Sequence, residues 1–279
     1  MTEFATQQEL FKYLKDNLAT LKAEKRATLK CADGLGFVSV KMLPDKDFAQ
    51  KDDSVISETV AEGEIRVKVA VNTTNFIDSH RDMHVPGLWK KSLSETKSGT
   101  HLKSHNRDFE YVIADGSDCQ VSAKMMSWKD LGYAYEGKTQ VLIHDSVIKA
   151  ARNPYMFEQY SNGWVKQHSV GMRYVDLFMC INSEDKYYAE EKANWDKYYP
   201  MAVNPEVANE NGYFWAVTTA KYVEGSAVVF GSNSATPTLS VKTSAPESTP
   251  EVEPQTTQKD TDGRKSTIDI EKLANYFKN

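Results

Sequence analysis

The chain reads as an α+β domain rich in strands, and three observations predict it. From Glu64 onward Ile65, Val67, Val69 and Val71 alternate with Arg66, Lys68 and Ala70, the period of two that a half-buried strand requires. Further short strand-like stretches follow at 111–113, 120–125, 140–143, 164–177, 213–222 and 226–230. They do not alternate regularly with helices, which argues against a doubly wound parallel sheet.

Taken in order, residues 4–30 carry helical spacing, with Phe11, Leu14, Leu18 and Leu21 stepping by three, four and three. Such a helix packs on its own domain or contacts another subunit, and the seam is too short for a coiled coil. Gly34 and Gly36 then break the pattern within 32–36. Residues 145–160 read as helical, interrupted at Pro154. The polar, Glu-, Lys- and Tyr-rich interval 182–211 reads as a helical insertion between two strands. Residues 241–265 are dominated by Ser, Thr, Pro, Glu and Gln and lack aromatic side chains, so a disordered linker is expected. At 266–279 helical spacing returns: Ser266 and Asp269 resemble a capping box, and Ile270, Leu273 and Phe277 share one face. A helix that short is marginal alone, so it is expected to dock on a partner.

With 279 residues the chain has room for one main domain with tails: 1–30, then 31–240, then the linker and terminal helix. A net charge of -5, with no basic run interleaved with aromatics, argues against nucleic acid as partner. Cys31, Cys119 and Cys180 are odd in number and widely spaced, which suggests neither a disulfide framework nor a CxxC metal site. No apolar run approaches the roughly 18 residues of a spanning helix, so no membrane partner is expected. His80-Arg81-Asp82 lacks the asparagine that a kinase catalytic loop needs. His80 and His84 have zinc-helix spacing, but the flanking Pro86 and Gly87 indicate a loop, so no metal or cofactor is expected.

The stretch 164–177 carries the chemistry. Strand alternation puts Val170, Met172 and Tyr174 on one apolar face and Ser169, Gly171 and Arg173 on the other, away from the core. Gly171 leaves space beside Ser169 for another backbone or a ligand. Ser169 is therefore a candidate nucleophile, against the plainer reading of a solvent-facing serine. It needs a base, and histidine is the usual one. His168 points to the opposite face, leaving His101, His105 and His144, of which His105 ends a segment from which a side chain can reach another strand. A satisfied structural histidine is the plainer alternative there too. Arg173 could supply charge to a developing oxyanion, or simply be solvated.

These residues carry a resemblance. Asp78, Asp82, Pro86 and Gly87, then Leu102 and His105, then Ser169 and Gly171, then Glu224 and Ser226 followed by a small-residue loop ending in Pro237, resemble the ordered landmarks of the prohead maturation proteases of tailed bacteriophages. The resemblance spans roughly 65–240. It implies an assemblin-like fold, shared with herpesvirus maturation proteases: a β-barrel wrapped by helices. It implies Ser169 as nucleophile, His105 as general base and Glu224 as the carboxylate that orients the imidazole. It further implies an endopeptidase that cleaves scaffold, capsid-protein extensions and itself inside an assembling prohead in the host cytoplasm. Scaffold and major capsid protein would be its partners, self-association is compatible with it, and the terminal helix would be the tether that recruits it. Trp89, where the family more often has a small residue and Phe, and the length of 182–211 are departures. The alternative is a non-catalytic internal scaffold or cargo protein that retains the fold.

Overall fold

The structure, a computed structural model, describes residues 4–30 and 60–243. Cys31, the turn at 32–36, the linker beyond 243 and the helix at 266–279 lie outside the described residues.

The amino-terminal arm is two helices rather than one. Helix α1 (Gln7–Asp16) opens on a capping box in which Thr6 Oγ1 accepts from the Glu9 N–H and Glu9 Oε2 from the Thr6 N–H. Asn17, whose side chain donates back to the Tyr13 carbonyl, separates it from α2 (Leu18–Ala27). Phe11 and Leu14 are buried, and at roughly 1.5–3 kcal/mol for each fully buried side chain they hold α1 to the body. Leu18 and Leu21 pack more loosely against the same core.

Strand β1 (Glu64–Thr73) follows the alternation read from the sequence: Ile65, Val67, Val69 and Val71 are all buried. After it come β2 (Asp82–His84), α3 (Lys90–Glu95) and β3 (Ser98–Lys103). Next are β4 (Val112–Ser127), β5 (Lys138–Lys149), α4 (Pro154–Ser161) and β6 (Gln167–Ile181). The interval read as a helical insertion contains α5 (Ala189–Tyr198) and α6 (Pro205–Asn211), and β7 (Tyr213–Val228) and β8 (Thr238–Thr243) complete the sheet. The protein is α+β.

Several boundaries differ from the sequence reading. Residues 145–149 continue β5 instead of starting a helix, because Ser146 and Ile148 turn inward in register with Val67 and Ile65 while Arg66 grips Asp145 with two bonds of 2.6 Å. Pro154 opens α4 as its first residue, where its missing N–H costs nothing, and Asn153 caps it by accepting from Met156 N–H. The stretches 111–113 and 120–125 belong largely to one 16-residue strand, β4, preceded by a short 3-10 turn. The stretches 213–222 and 226–230 merge into β7, which is 16 residues long and ends at Val228. Strand β8 runs three residues into the stretch read as linker, since Val241, Lys242 and Thr243 pair with Val67, Arg66 and Ile65.

The eight strands form one sheet in the order β2-β7-β3-β4-β5-β1-β8, with β6 paired to β7. This corrects the closed barrel expected from the resemblance: the outer edge of β6 meets the residues leading into β8 through a single bridge, Gln167 to Pro237, and not through a ladder. Strand β7 is the hub, antiparallel to β6 along its length and parallel to β2 and β3 at its two ends. Everything that the resemblance singles out is therefore attached to β7 or to its neighbours.

Candidate active site

Two consecutive residues after β3 adopt the left-handed conformation that non-glycine residues avoid, Ser104 at φ 54° and His105 at φ 57°. Such backbone persists only where its surroundings hold it. Here the Ser104 N–H donates to the Ala227 carbonyl at 2.9 Å and the His105 N–H to Ser226 Oγ at 3.1 Å, which pins the turn to β7. The turn brings the His105 ring back over β7, and its Nδ1 lies 2.6 Å from Glu224 Oε1. The second carboxylate oxygen, Oε2, accepts from the Ser226 hydroxyl at 2.7 Å. Glu224 is 3% exposed, so both its carboxyl oxygens are met by protein partners and not by bulk water.

Glu224 and Ser226 share a face because they are two apart on a strand, and Gly225 between them faces the other side. Across the β6–β7 ladder Ser169 is paired with Ser226 and Gly171 with Glu224. Directly opposite side chains stand about 5 Å apart at Cβ on the same face, so Ser169 flanks Ser226 on the side that carries the His105–Glu224 pair. The gap at Gly171 receives Glu224: a Cβ built there would lie 2.0 Å from Oε1. The glycine thus makes room for the carboxylate, where the sequence suggested only a backbone or a ligand.

Ser169 is 7% exposed, which corrects its reading as an outward-facing serine on a face away from the core: both faces of β6 are covered at this point, and exposure begins at Arg173. His168, as its alternation required, points to the other side, where Nδ1 meets the Thr236 carbonyl at 3.1 Å and Nε2 the Tyr160 hydroxyl at 2.9 Å. His101 and His144 are fully buried on that side as well. Arg173 is exposed and pairs with Lys221, past a bulge in the ladder, so it is not gathered with His105 and Glu224.

The aspartates of the first landmark are held around β2 and β6. Asp78 Oδ1 accepts from the N–H groups of His80 and Asp82 and closes the loop before β2. Asp82, wholly buried, pairs with Lys25 of α2, lies 3.7 Å from Lys30 and accepts from the Tyr174 hydroxyl at 2.9 Å. His84 is occupied on both ring nitrogens, by Asn72 at 2.7 Å and Tyr174 at 3.2 Å. Trp89 is buried and donates to Asn72 Oδ1. Among the described residues no group of three or more His, Cys, Asp or Glu is arranged to hold a metal, and none of the helices is long and apolar enough to cross a membrane. A narrow cleft of about 10 Å³ lies against Ser169, Val170 and Met172, with Lys30 and Asn233 on its other walls. That is room for one water, not for a side chain.

Sequence reasoning missed the part that Ser226 plays. The signal was present in Glu-x-Ser on a strand, since alternation alone puts the hydroxyl beside the carboxylate. Compared with protein-family models, curated proteins and solved structures, the chain matches none of them.

Proposed function

We propose that the protein is a serine endopeptidase of virus head maturation, acting on scaffold, on capsid-protein extensions and on itself within the assembling particle. The observation that supports this reading is the 2.6 Å contact between His105 Nδ1 and buried Glu224, made beside the strand position of Ser169. A carboxylate on Nδ1 fixes the proton there and leaves Nε2 basic. In the proposed reaction His105 Nε2 takes the Ser169 proton as the hydroxyl attacks the scissile carbonyl, then returns it to the leaving amine. Glu224 stabilises the imidazolium formed in between and stays ionised, with Ser226 holding its outer oxygen. The finer likeness to assemblin-type proteins belongs to the same proposal, with the sheet open rather than closed into a barrel.

The test is mass spectrometry of the protein co-expressed with the major capsid protein of its own virus, wild type against Ser169→Ala. Cleaved capsid protein is expected only with the wild type, and peptide cleavage should fall by about four to six orders of magnitude in the variant. Equal cleavage by both would end the reading.

A further inference from the structure

On the face of the sheet opposite Glu224, seven buried or largely buried side chains form one hydrogen-bonded chain, and its ends dictate its direction. At one end His168 Nδ1 faces the Thr236 carbonyl, which can only accept, so Nδ1 carries the proton. A neutral imidazole then offers a lone pair at Nε2, and the Tyr160 hydroxyl 2.9 Å away must donate to it. The Tyr160 oxygen in turn accepts, at 3.0 Å, from His101 Nε2. That leaves His101 Nδ1 to accept from Ser146 Oγ, also at 3.0 Å. At the other end the Thr100 N–H donates to Tyr222 Oη at 3.4 Å, and the Tyr222 proton goes to His144 Nε2 at 2.9 Å. His144 therefore carries its proton on Nδ1. Cys119 Sγ, 3.5 Å from both His144 Nδ1 and Ser146 Oγ, joins the two halves: with the single Ser146 proton directed at His101 Nδ1, the thiol accepts from His144 and donates to Ser146. Each imidazole has to be neutral for the chain to be complete, and burial pushes all three histidines below the usual range.

Three of the chain's members sit on β6, β3 and β7, the strands that carry or lead into the proposed triad, while Cys119 lies on β4, His144 and Ser146 on β5 and Tyr160 on α4. His168 is next to Ser169 on β6, His101 is four residues before His105 on β3, and Tyr222 is two before Glu224 on β7. A register shift opposite Gly171 and Met172 leaves Val223 unpaired, so Tyr222 and Glu224, two apart, face opposite sides. Gly225 admits the His144 ring, since a Cβ there would lie 2.4 Å from Cε1.

We infer that the Tyr222–His144–Cys119–Ser146–His101–Tyr160–His168 chain is a positioning device, fixing the slide of β3, β6 and β7 so that His105, Ser169 and Glu224 meet. This role rests on the serine-protease reading. A one-directional chain suits it because each proton has one acceptor in the chain, so a slide of any strand leaves buried donors and acceptors unpaired together.

Tyr160→Phe keeps the ring and cuts the chain between His101 and His168. The measurements are the rate at which a fluorophosphonate labels Ser169 in folded protein at pH 7, and the tautomers of the wild-type histidines by nitrogen-15 NMR. The expected results are labelling slowed about 10- to 100-fold, with a native circular dichroism spectrum. The wild type should show His168 and His144 protonated on Nδ1 and His101 on Nε2. Ser146→Ala, which cuts the chain at its centre and two members further from Ser169, should give a smaller slowing of the same kind, and it decides the matter if Tyr160→Phe does not fold. A variant that is less heat-stable yet labels at the wild-type rate overturns the positioning role, as does a His168 tautomer protonated on Nε2. Wild-type protein that does not label at Ser169 overturns the protease reading and the positioning role with it.

Discussion

At the scale of single residues, the two glycines of the site act through what they lack. Gly171 and Gly225 face opposite sides of neighbouring strands, and each makes way for an ionisable side chain, Glu224 on one side and His144 on the other. A methyl group at Gly171 cannot coexist with Glu224 in its present place, because the contact would be 2.0 Å with Oε1 and 2.8 Å with Cδ. Gly171→Ala should therefore push the carboxylate off His105 while leaving the ladder intact, and under the proposed protease function it should lower kcat for peptide cleavage about 100-fold, the cost of a displacement near 1 Å. An unchanged kcat in the folded variant would show that Glu224 does not orient the base. The serine, the histidine and the glycine were all legible as types with a chemistry. The seating of His105 on Glu224 was not, because the φ angles of Ser104 and His105 that turn the ring over β7 are imposed by bonds to Ala227 and Ser226, more than a hundred residues away.

At the scale of elements, the amino-terminal arm is fastened to the strand that carries Ser169. Lys30 exchanges both backbone hydrogen bonds with Met172 of β6, and Lys25 meets Asp82, which also holds Tyr174 of β6. Asp82 is 0% exposed, so losing a cationic partner leaves a buried carboxylate only partly compensated. Lys25→Met should destabilise the fold by about 3 kcal/mol, the low end for a broken buried pair because Lys30 and Tyr174 remain. Adding Asp82→Asn should recover part of that loss. A urea-denaturation double-mutant cycle reads this directly, and strictly additive effects would show that the pair carries no coupling. The strands themselves differed in how plainly they could be read. Strand β1 announces its alternation, whereas β2 is three residues long and exists through its parallel pairing with Trp215, Ala216 and Val217.

At the scale of the whole molecule, the buried histidines set the response to acid. Burial pushes His84 and His168 down to about 4 and His144 to about 3, and lowers His101 too. Unfolded, each titrates near 6.5. Above that value both states are neutral and these groups leave stability unchanged. Below it the unfolded chain takes up protons that the folded one refuses, so stability falls as pH drops from about 6.5 toward 4. For His84, His168 and His144 a depression of this size corresponds to roughly 3–5 kcal/mol each; three of them compare with the roughly 5–15 kcal/mol of net stability in a domain, and His101 acts in the same direction. Asp78 works in the opposite sense, pushed up to about 7 by burial and by Asp82 beside it, and loses stability as pH rises toward that value. It offsets part of the effect, being one carboxyl against four imidazoles. Urea midpoints measured between pH 8 and pH 4 should be flat above about 6.5 and fall below it. A midpoint that holds steady down to pH 4 would mean that the histidines are not buried as described.

What the sequence by itself determined is what short-range physics can carry: the alternation of β1, the helical arm and insertion, and the two faces of β6. Period and residue type are local properties, set by backbone geometry and by the chemistry of each side chain. Tertiary structure alone decided that the sheet stays open, that residues 145–149 extend β5, that Ser169 is buried, and that Glu224 fills the space at Gly171. Each of these depends on which strand lies beside which and in what register. A shift of one residue in β7, such as the one at Val223, turns every later side chain to the other face, and nothing in the local sequence marks it.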